Sequence, residues 1–417
     1  MSAKQSKNEA CIIIGASHAG VNCAFALRRE GWEGQILLID ADPHLPYHRP
    51  PLSKTFLTEE GDIEKIALRP AASYEKEEIE RIAGRVSAID RMKKLVILKD
   101  GRSFSYQQLV IATGARPLIP PIHGLQDNQR VFTLRHAADI VQIREALQSS
   151  PDKRVVIIGG GYIGLELAAS LSKLRAKVAL LEREERLLAR VTAPEVSDFF
   201  LHLHQAKGVE ICNGKNVISI RSAVDCSEVE CADGTLFEAD LVILGVGIRV
   251  NTELAADAGL EIENGIKVDD TTCTTDPHIY AIGDCSFHYN SYYDTFVRLE
   301  SVQNAVDQAK VAAANICGKH TVYDALPWFW SDQYDIKLQT VGLFQGYDEA
   351  IIREEVGKDN CFSIWYFRGA QLLAVDAVNN AKAYVVGMKL LKEKPLVDKT
   401  KISDPHSPLK PALLLET

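Results

Sequence analysis

Cys11-Ile-Ile-Ile-Gly15-Ala-Ser-His-Ala-Gly20 decides the fold, because the chain writes it again as Val155-Val-Ile-Ile-Gly159-Gly-Gly-Tyr-Ile-Gly164. In both copies a short apolar run meets a glycine turn and enters a helix-like stretch, Val21 to Arg29 in the first and Leu165 to Leu174 in the second. Each copy closes with a second apolar run ended by an acid: Ile36-Leu-Leu-Ile-Asp40 and Val178-Ala-Leu-Leu-Glu182. Strand, helix and strand in this order form a βαβ unit. The first glycine allows the tight turn off the strand, the second lets backbone approach a pyrophosphate, and the third lets helix pack on strand. The helix N-terminus then offers unpaired N–H groups and a positive dipole end to phosphates. The closing acid accepts hydrogen bonds from an adenosine ribose. Each unit therefore reads as a dinucleotide site, the alternative being a plain doubly wound domain with glycine turns. In the first unit Ser17 stands where the second glycine belongs, and its Cβ slightly hinders close approach.

The rest of the chain punctuates these two units. Leu109-Val-Ile-Ala-Thr113-Gly114 runs into the proline-rich Arg116-Pro-Leu-Ile-Pro-Pro121, a crossover into the second unit. Leu241-Val-Ile-Leu-Gly245-Val-Gly247 reads as the crossover back, and Asp276-Pro-His-Ile-Tyr-Ala-Ile-Gly283-Asp284 as a third strand-to-glycine exit. Ser301 to Cys317 carries Val302, Ala305, Val306, Ala309 and Ala313 at helical spacing. After Leu326-Pro327 the texture becomes alternating and aromatic, as in Lys337 to Leu343 and Cys361 to Phe367, which predicts a small antiparallel sheet. The expected domains are 1–115 with 248–326, then 116–247, then 327–417. The tail from Ser403, with three prolines, reads as a loosely packed strap.

A chain of 417 residues suggests two or three domains. With 46% hydrophobic and 25% charged residues it reads as soluble and globular. No apolar run approaches the roughly 18 residues of a membrane span. The stretch Met1 to Ala10 is polar, and the run Cys11 to Ile14 is too short for a signal-peptide core, so a cytoplasmic location is expected. A net charge of −9 argues against nucleic acid as the default partner. The nine cysteines are scattered with no CxxC pair, which suggests buried thiols in a reducing compartment and no metal site.

The motifs together resemble the FAD-dependent NADH:ferredoxin reductases of oxygenase systems, the putidaredoxin reductase and biphenyl dioxygenase reductase group. The likeness rests on Gly15 to Gly20, Pro50-Pro-Leu-Ser-Lys54, Ala112-Thr-Gly114, Gly159 to Glu166, Val191-Thr-Ala-Pro194, Gly283-Asp-Cys285, Glu300-Ser-Val-Gln-Asn304 and Trp328-Phe-Trp-Ser-Asp-Gln333. It implies an α/β fold of two Rossmann-like, glutathione-reductase-like domains with a small C-terminal α+β domain. It implies FAD on the first turn and NADH on the second. The FAD set is then Gly15, Ala16, Ser17, His18, Ala19, Gly20, Asp40 (with Asp42 the alternative), Arg49, Lys54, Val86, Ala112, Thr113, Gly114, Arg135, Asp284, Glu300, Ser301, Val302 and Trp330. The NAD set is Gly159, Gly161, Tyr162, Ile163, Gly164, Glu166, Glu182, Arg183, Arg190 and Gly247.

The same resemblance places a Lys54–Glu166 pair beside the flavin ring, where it tunes the flavin's electron affinity. Lys54 follows two prolines that stiffen its approach, and Glu166 reads as a first-turn residue of its helix, with simple dipole complementarity the alternative. Tyr162 covers the flavin face until nicotinamide arrives, and Trp330 flanks the ring; the alternatives are packing roles. Glu182 accepts from both ribose hydroxyls and repels a 2′-phosphate, so NADH is expected over NADPH, with Arg183 the feature that opposes this. Disulphide reductases carry a cysteine pair beside the flavin, and His44 to Lys54 holds no cysteine. Electrons are thus expected to leave the flavin directly, and the resemblance implies that their acceptor is a [2Fe–2S] ferredoxin serving a cytochrome P450 or ring-hydroxylating oxygenase. Arg298, Lys337, Arg353 and Lys382 are candidate docking cations. The alternatives are an apoptosis-inducing-factor-like flavoprotein and an NADH oxidase or quinone reductase without a protein acceptor. A monomer or weak homodimer is expected, with no nucleic acid and no membrane.

Overall fold

The structure is a computed structural model that describes residues 9–59 and 61–416, so most of the polar stretch Met1 to Ala10 lies outside the described residues. The chain divides into two units. Unit 1 comprises Met1–Arg49, Gly61–Arg116 and Arg249–Pro327; unit 2 comprises Pro50–Glu60, Pro117–Ile248 and Trp328–Thr417.

Unit 1 is built on a parallel sheet in the order Ile279–Ala281, Gln108–Ile111, Ala10–Ile14, Gln35–Asp40, Ile79–Ala83. The central strand is buried on both faces, which is why its sequence is continuously apolar rather than alternating. Cys11 and Ile13 enter one core with Val21, Cys23 and Leu27 of the helix His18–Glu30 and Ala309 and Ala312 of the helix Val302–Ile316. Ile12 and Ile14 enter the other core, with Ile89, Val96 and Leu98 of a three-stranded antiparallel sheet. The first turn therefore leaves the sheet at its C-terminal edge, where doubly wound folds hold ligands.

Unit 2 repeats the plan with the order Glu210–Cys212, Lys177–Leu181, Arg154–Ile158, Leu241–Leu244, Val131–Thr133, again parallel. Its chain ends in a five-stranded antiparallel sheet, ordered Trp328–Gln333, Ile336–Gly342, Gln371–Val378, Phe362–Arg368, Glu349–Glu354, with the helix Ala381–Glu393. The two doubly wound sheets and the α+β C-terminal part are the fold class the sequence predicts. No helix of the described residues is long and apolar enough to cross a membrane.

The tail corrects one expectation. It is tightly held rather than loose: Leu409 and Leu414 are buried, and the Arg353 guanidinium donates to the carbonyls of Ile402, Asp404, Pro405 and Ser407 at 2.7–3.2 Å. A five-donor fork satisfies a run of carbonyls that prolines and turns leave without strand or helix partners. Arg353 itself is 2% exposed, so it is an internal anchor and not the docking cation the sequence suggested.

Candidate active site

The two glycine turns are superimposable in their bonding. Gly15 and Gly159 have φ of +105° and +112°, and their N–H groups donate to Ile39 and Leu181 carbonyls at 2.8 Å. A Cβ on Gly20 would stand 1.8 Å from the Gly15 carbonyl oxygen, and one on Gly164 would stand 2.0 Å from that of Gly159. These glycines are demanded by packing. The acids then lock each turn. Asp40 accepts from the Ala16 N–H and, at 2.7 Å, from that of Asp42. Glu182 accepts from Gly160 at 2.6 Å and Glu184 at 2.8 Å. A carboxylate has about four acceptor positions, so each acid retains capacity for a ribose hydroxyl.

Both turns fit a bound pyrophosphate. The N-caps Ser17 and Gly161 are extended and neither side chain caps its helix; no acid lies in either first turn. With neither a capping side chain nor an acid there, the positive dipole end of each helix suits an anion. A Cβ on Gly161 would meet nothing within 4 Å, so open space lies where the backbone is expected to approach a phosphate. Arg49 sits on the first turn, its Nε 3.4 Å from Ser17 Oγ and its guanidinium over the Tyr47 ring. His18 is buried, with Nε2 3.3 Å from His48 Nδ1; burial and then Arg69 hold His48 below the usual imidazole range.

In unit 2 the structure brings Lys54 and Glu166 together, Nζ to Oε2 at 2.6 Å. Glu166 is 3% exposed. A buried carboxylate needs its lone pairs filled to survive desolvation. Ser53 Oγ donates to Oε2 at 2.6 Å and Ser331 Oγ to Oε1 at 2.7 Å. Ser170 Oγ fixes the approach by donating to the Ser53 carbonyl at 2.7 Å. Glu166 is not in the first turn. Gly161 caps the helix, which begins at Tyr162, so Glu166 is one turn in and dipole complementarity does not explain it. Its neighbour Tyr162 stacks on Phe329, centroids 4.6 Å apart. Burial, then the Asp376 charge, raises the Tyr162 phenol well above its usual range. Trp330 is half-buried and stacks on Trp328 at 5.6 Å.

A family model described as pyridine nucleotide-disulphide oxidoreductase matches residues 9–309. The chain belongs to that family. A second model, the reductase C-terminal domain, matches 328–413. Putidaredoxin reductase CamA of Pseudomonas putida is 43% identical over 97% of this chain and 96% of its own length. The ferredoxin–NAD(P)(+) reductase of a Sphingomonas species is 42% identical over 96% of each. Among solved structures, the covalent putidaredoxin reductase–putidaredoxin complex matches with a TM-score of 0.92 at 41% identity, over 97% of this chain and 98% of the other. The ferredoxin reductase for the CYP199A2 system of Rhodopseudomonas palustris matches with a TM-score of 0.93 at 38% identity, over 97% of this chain and all of the other.

Within the pyridine nucleotide-disulphide family, the thiols of this member are free. Burial raises Cys11 and Cys23 far above the range in which a thiolate forms, and Cys285 is raised the same way. Burial is the largest cause for each and outweighs the Arg28 charge that acts on Cys11, the opposite of a reactive thiol's setting. Among the described residues no group of three or more His, Cys, Asp or Glu is placed to hold a metal.

The remaining expected residues are distributed as follows. In unit 1, Val86 is the buried first residue of the strand Val86–Asp90, Thr113 Oγ1 donates to the Asn251 carbonyl at 2.8 Å, and Asp284 sits half-buried in the turn Gly283–Cys285. Ser301 caps the helix Val302–Ile316 through the Asn304 N–H, and exposed Glu300 pairs with Arg298 at 2.7 Å. In unit 2, the Arg135 N–H donates to Asp139 at 2.7 Å, exposed Arg183 pairs with Glu184 at 2.9 Å, and Arg190 is exposed near Gly247. Sequence reasoning missed Ser53, Ser331, Gln333, His204 and Asp376. A signal existed for two of them: on the strand Trp328–Gln333, period-two alternation puts Ser331 and Gln333 on the face of Phe329.

Proposed function

We propose that the protein is an NADH-dependent, FAD-containing ferredoxin reductase that delivers electrons to a [2Fe–2S] ferredoxin of an oxygenase system. The observation that carries this is similarity over nearly the whole chain to reductases whose names specify a ferredoxin acceptor, one of them solved in complex with it. In this reading 1–115 with 248–326 holds FAD, 116–247 holds NADH, and 327–417 completes the reductase. FAD, when bound, accepts a hydride from NADH and releases electrons singly.

The chain's own residues bind and orient. Asp40 and Glu182 hold the two adenosine riboses, and the uncapped helix starts at Ser17 and Gly161 hold the pyrophosphates. Arg49, Val86, Ala112 to Gly114, Arg135, Asp284 and the Glu300 to Val302 segment complete the flavin environment; Ile163, Arg190 and Gly247 complete that of NADH. Glu182 favours NADH over NADPH by repulsion of a 2′-phosphate. Lys54, steadied by Glu166, supplies positive charge where the reduced ring gains electron density, and Tyr162 and Trp330 shape the aromatic wall. A cytoplasmic monomer or weak homodimer fits the acidic composition.

The test is anaerobic reduction by NADH, then rapid mixing with candidate [2Fe–2S] ferredoxins. Fast flavin reoxidation with matching ferredoxin bleaching is expected. A reduced flavin that persists beside every ferredoxin while quinones or oxygen discharge it would overturn the reading.

A further inference from the structure

Glu166 is the end of a longer chain of buried polar groups in unit 2. Ser331 Oγ donates its one proton to Glu166 Oε1 at 2.7 Å. Ser331 Oγ in turn accepts from Gln333 Nε2 at 3.3 Å. Gln333 Oε1 lies 2.9 Å from His204 Nε2, and His204 Nδ1 lies 3.5 Å from the Tyr334 hydroxyl. Ser331, Gln333 and His204 are all fully buried. For a neutral His204 the donor inventory leaves one consistent assignment. Gln333 gives its N–H to Ser331, so its oxygen must accept, so His204 carries its proton on Nε2 and leaves Nδ1 as an acceptor. Every proton in the chain then points toward Glu166, and aligned hydrogen bonds polarise one another.

We propose that Ser331, Gln333 and His204 are positioning residues for Glu166: a one-way hydrogen-bond chain, running from an Nε2–H imidazole, holds the carboxylate in place and aimed at Lys54. This rests on reading Lys54–Glu166 as the pair that serves the flavin. Burial, opposed by the Gln333 contact, holds the His204 imidazole below its usual range, which favours the neutral ring. The helix Pro194–Ala206 supplies the histidine and the strand Trp328–Gln333 supplies the relay, so the C-terminal part of the chain reaches the Lys54 pair through side-chain bonds.

The first test needs no electron acceptor. ¹⁵N-histidine NMR of the holoprotein is expected to show His204 neutral in the Nε2–H form at neutral pH, with its nitrogen shifts displaced by Glu166→Gln. An Nδ1–H form, an imidazolium, or shifts indifferent to Glu166→Gln would overturn the proposal. The second test separates bonding from packing. His204→Gln keeps a donor toward Gln333, whereas His204→Leu keeps bulk alone. Anaerobic flavin reduction by NADH is expected to slow about tenfold in the leucine variant and to stay within about twofold in the glutamine variant. Equal rates, or the reverse order, would overturn it. Should the protein fail to reduce any ferredoxin, the proposed function falls while both readouts still report on the chain.

Discussion

The two glycine turns share a backbone and diverge most in chemistry at two side chains. Position four is His18 in the first and Tyr162 in the second; position eight is Asn22 in the first and Glu166 in the second. Asn22 Nδ2 folds back onto the His18 carbonyl of its own helix at 2.7 Å. Glu166 instead takes Ser53, Lys54 and Ser331, and Tyr162 takes Phe329. The repeated part is thus what any dinucleotide needs: a turn, a close helix and an acid. The unrepeated part comes from two short segments, around Pro50–Ser53 and Trp328–Gln333, that meet the second helix. In the proposed function, reactivity is added to the duplicated frame from outside it.

The strongest way to break the shared part is Gly164→Ala. Its Cβ would stand 2.0 Å from a backbone oxygen that cannot yield without unmaking the turn. A loss of about 4 kcal/mol or more is expected, seen as a fall in melting temperature of roughly 10 °C. A variant that melts with the parent would show that the helix is free to slide off the strand.

The turns also differ in what titrates beside them. Asp376, fully buried, accepts from Thr340 and from Tyr366 at 2.6 Å, and burial pushes its carboxyl up to about 6. An unfolded aspartate loses its proton near pH 4. Between those values the native state holds a proton that the unfolded chain has released, so this group's contribution to stability falls as pH rises. The drop is roughly 3 kcal/mol across that window and constant above it. Asp376→Asn removes the slope, so the stability difference between variant and parent should grow in the variant's favour from pH 4 to pH 6. A difference that stays level in thermal melts over this range would contradict the assignment.

Much of this was legible from the chain, and the exceptions share a cause. The βαβ frame announces itself because strand burial forces unbroken apolar runs and packing forces glycine at fixed steps. The Lys54–Glu166 pairing followed from resemblance, not from spacing, since over a hundred residues separate the two. The start of the second helix was misplaced because Gly161-Tyr162-Ile163 has weak helical propensity, and only the extended Gly161 cap sets it. Arg353, Ser331, Gln333 and His204 look like surface residues by type. Their burial is permitted by partners distant in sequence, which periodicity does not report.

The chemistry added to the second turn is probed by Lys54→Met. The Lys54 side chain is 20% exposed and its stem is similar in length to methionine, so FAD should remain bound. The lost charge should slow flavin reduction by NADH between ten- and a hundredfold, about 1.4–2.7 kcal/mol of barrier. Stopped-flow traces unchanged from the parent would remove Lys54 from the reaction.

The finest distinction is position three, Ser17 against Gly161. Gly161 has φ of −80° and ψ of −178°, an extended conformation open to any residue, and a Cβ there would touch nothing within 4 Å. The fold does not ask for glycine at this step, so whatever approaches that space must. Gly161→Ser copies the first turn into the second. Stability should hold within about 0.5 kcal/mol. The dissociation constant for NADH, by calorimetry, should rise about threefold, because the added atoms stand between backbone and pyrophosphate. An unaltered affinity would mean that the phosphates keep clear of Gly161, and the openness at this position would then reflect nothing more than the end of a turn.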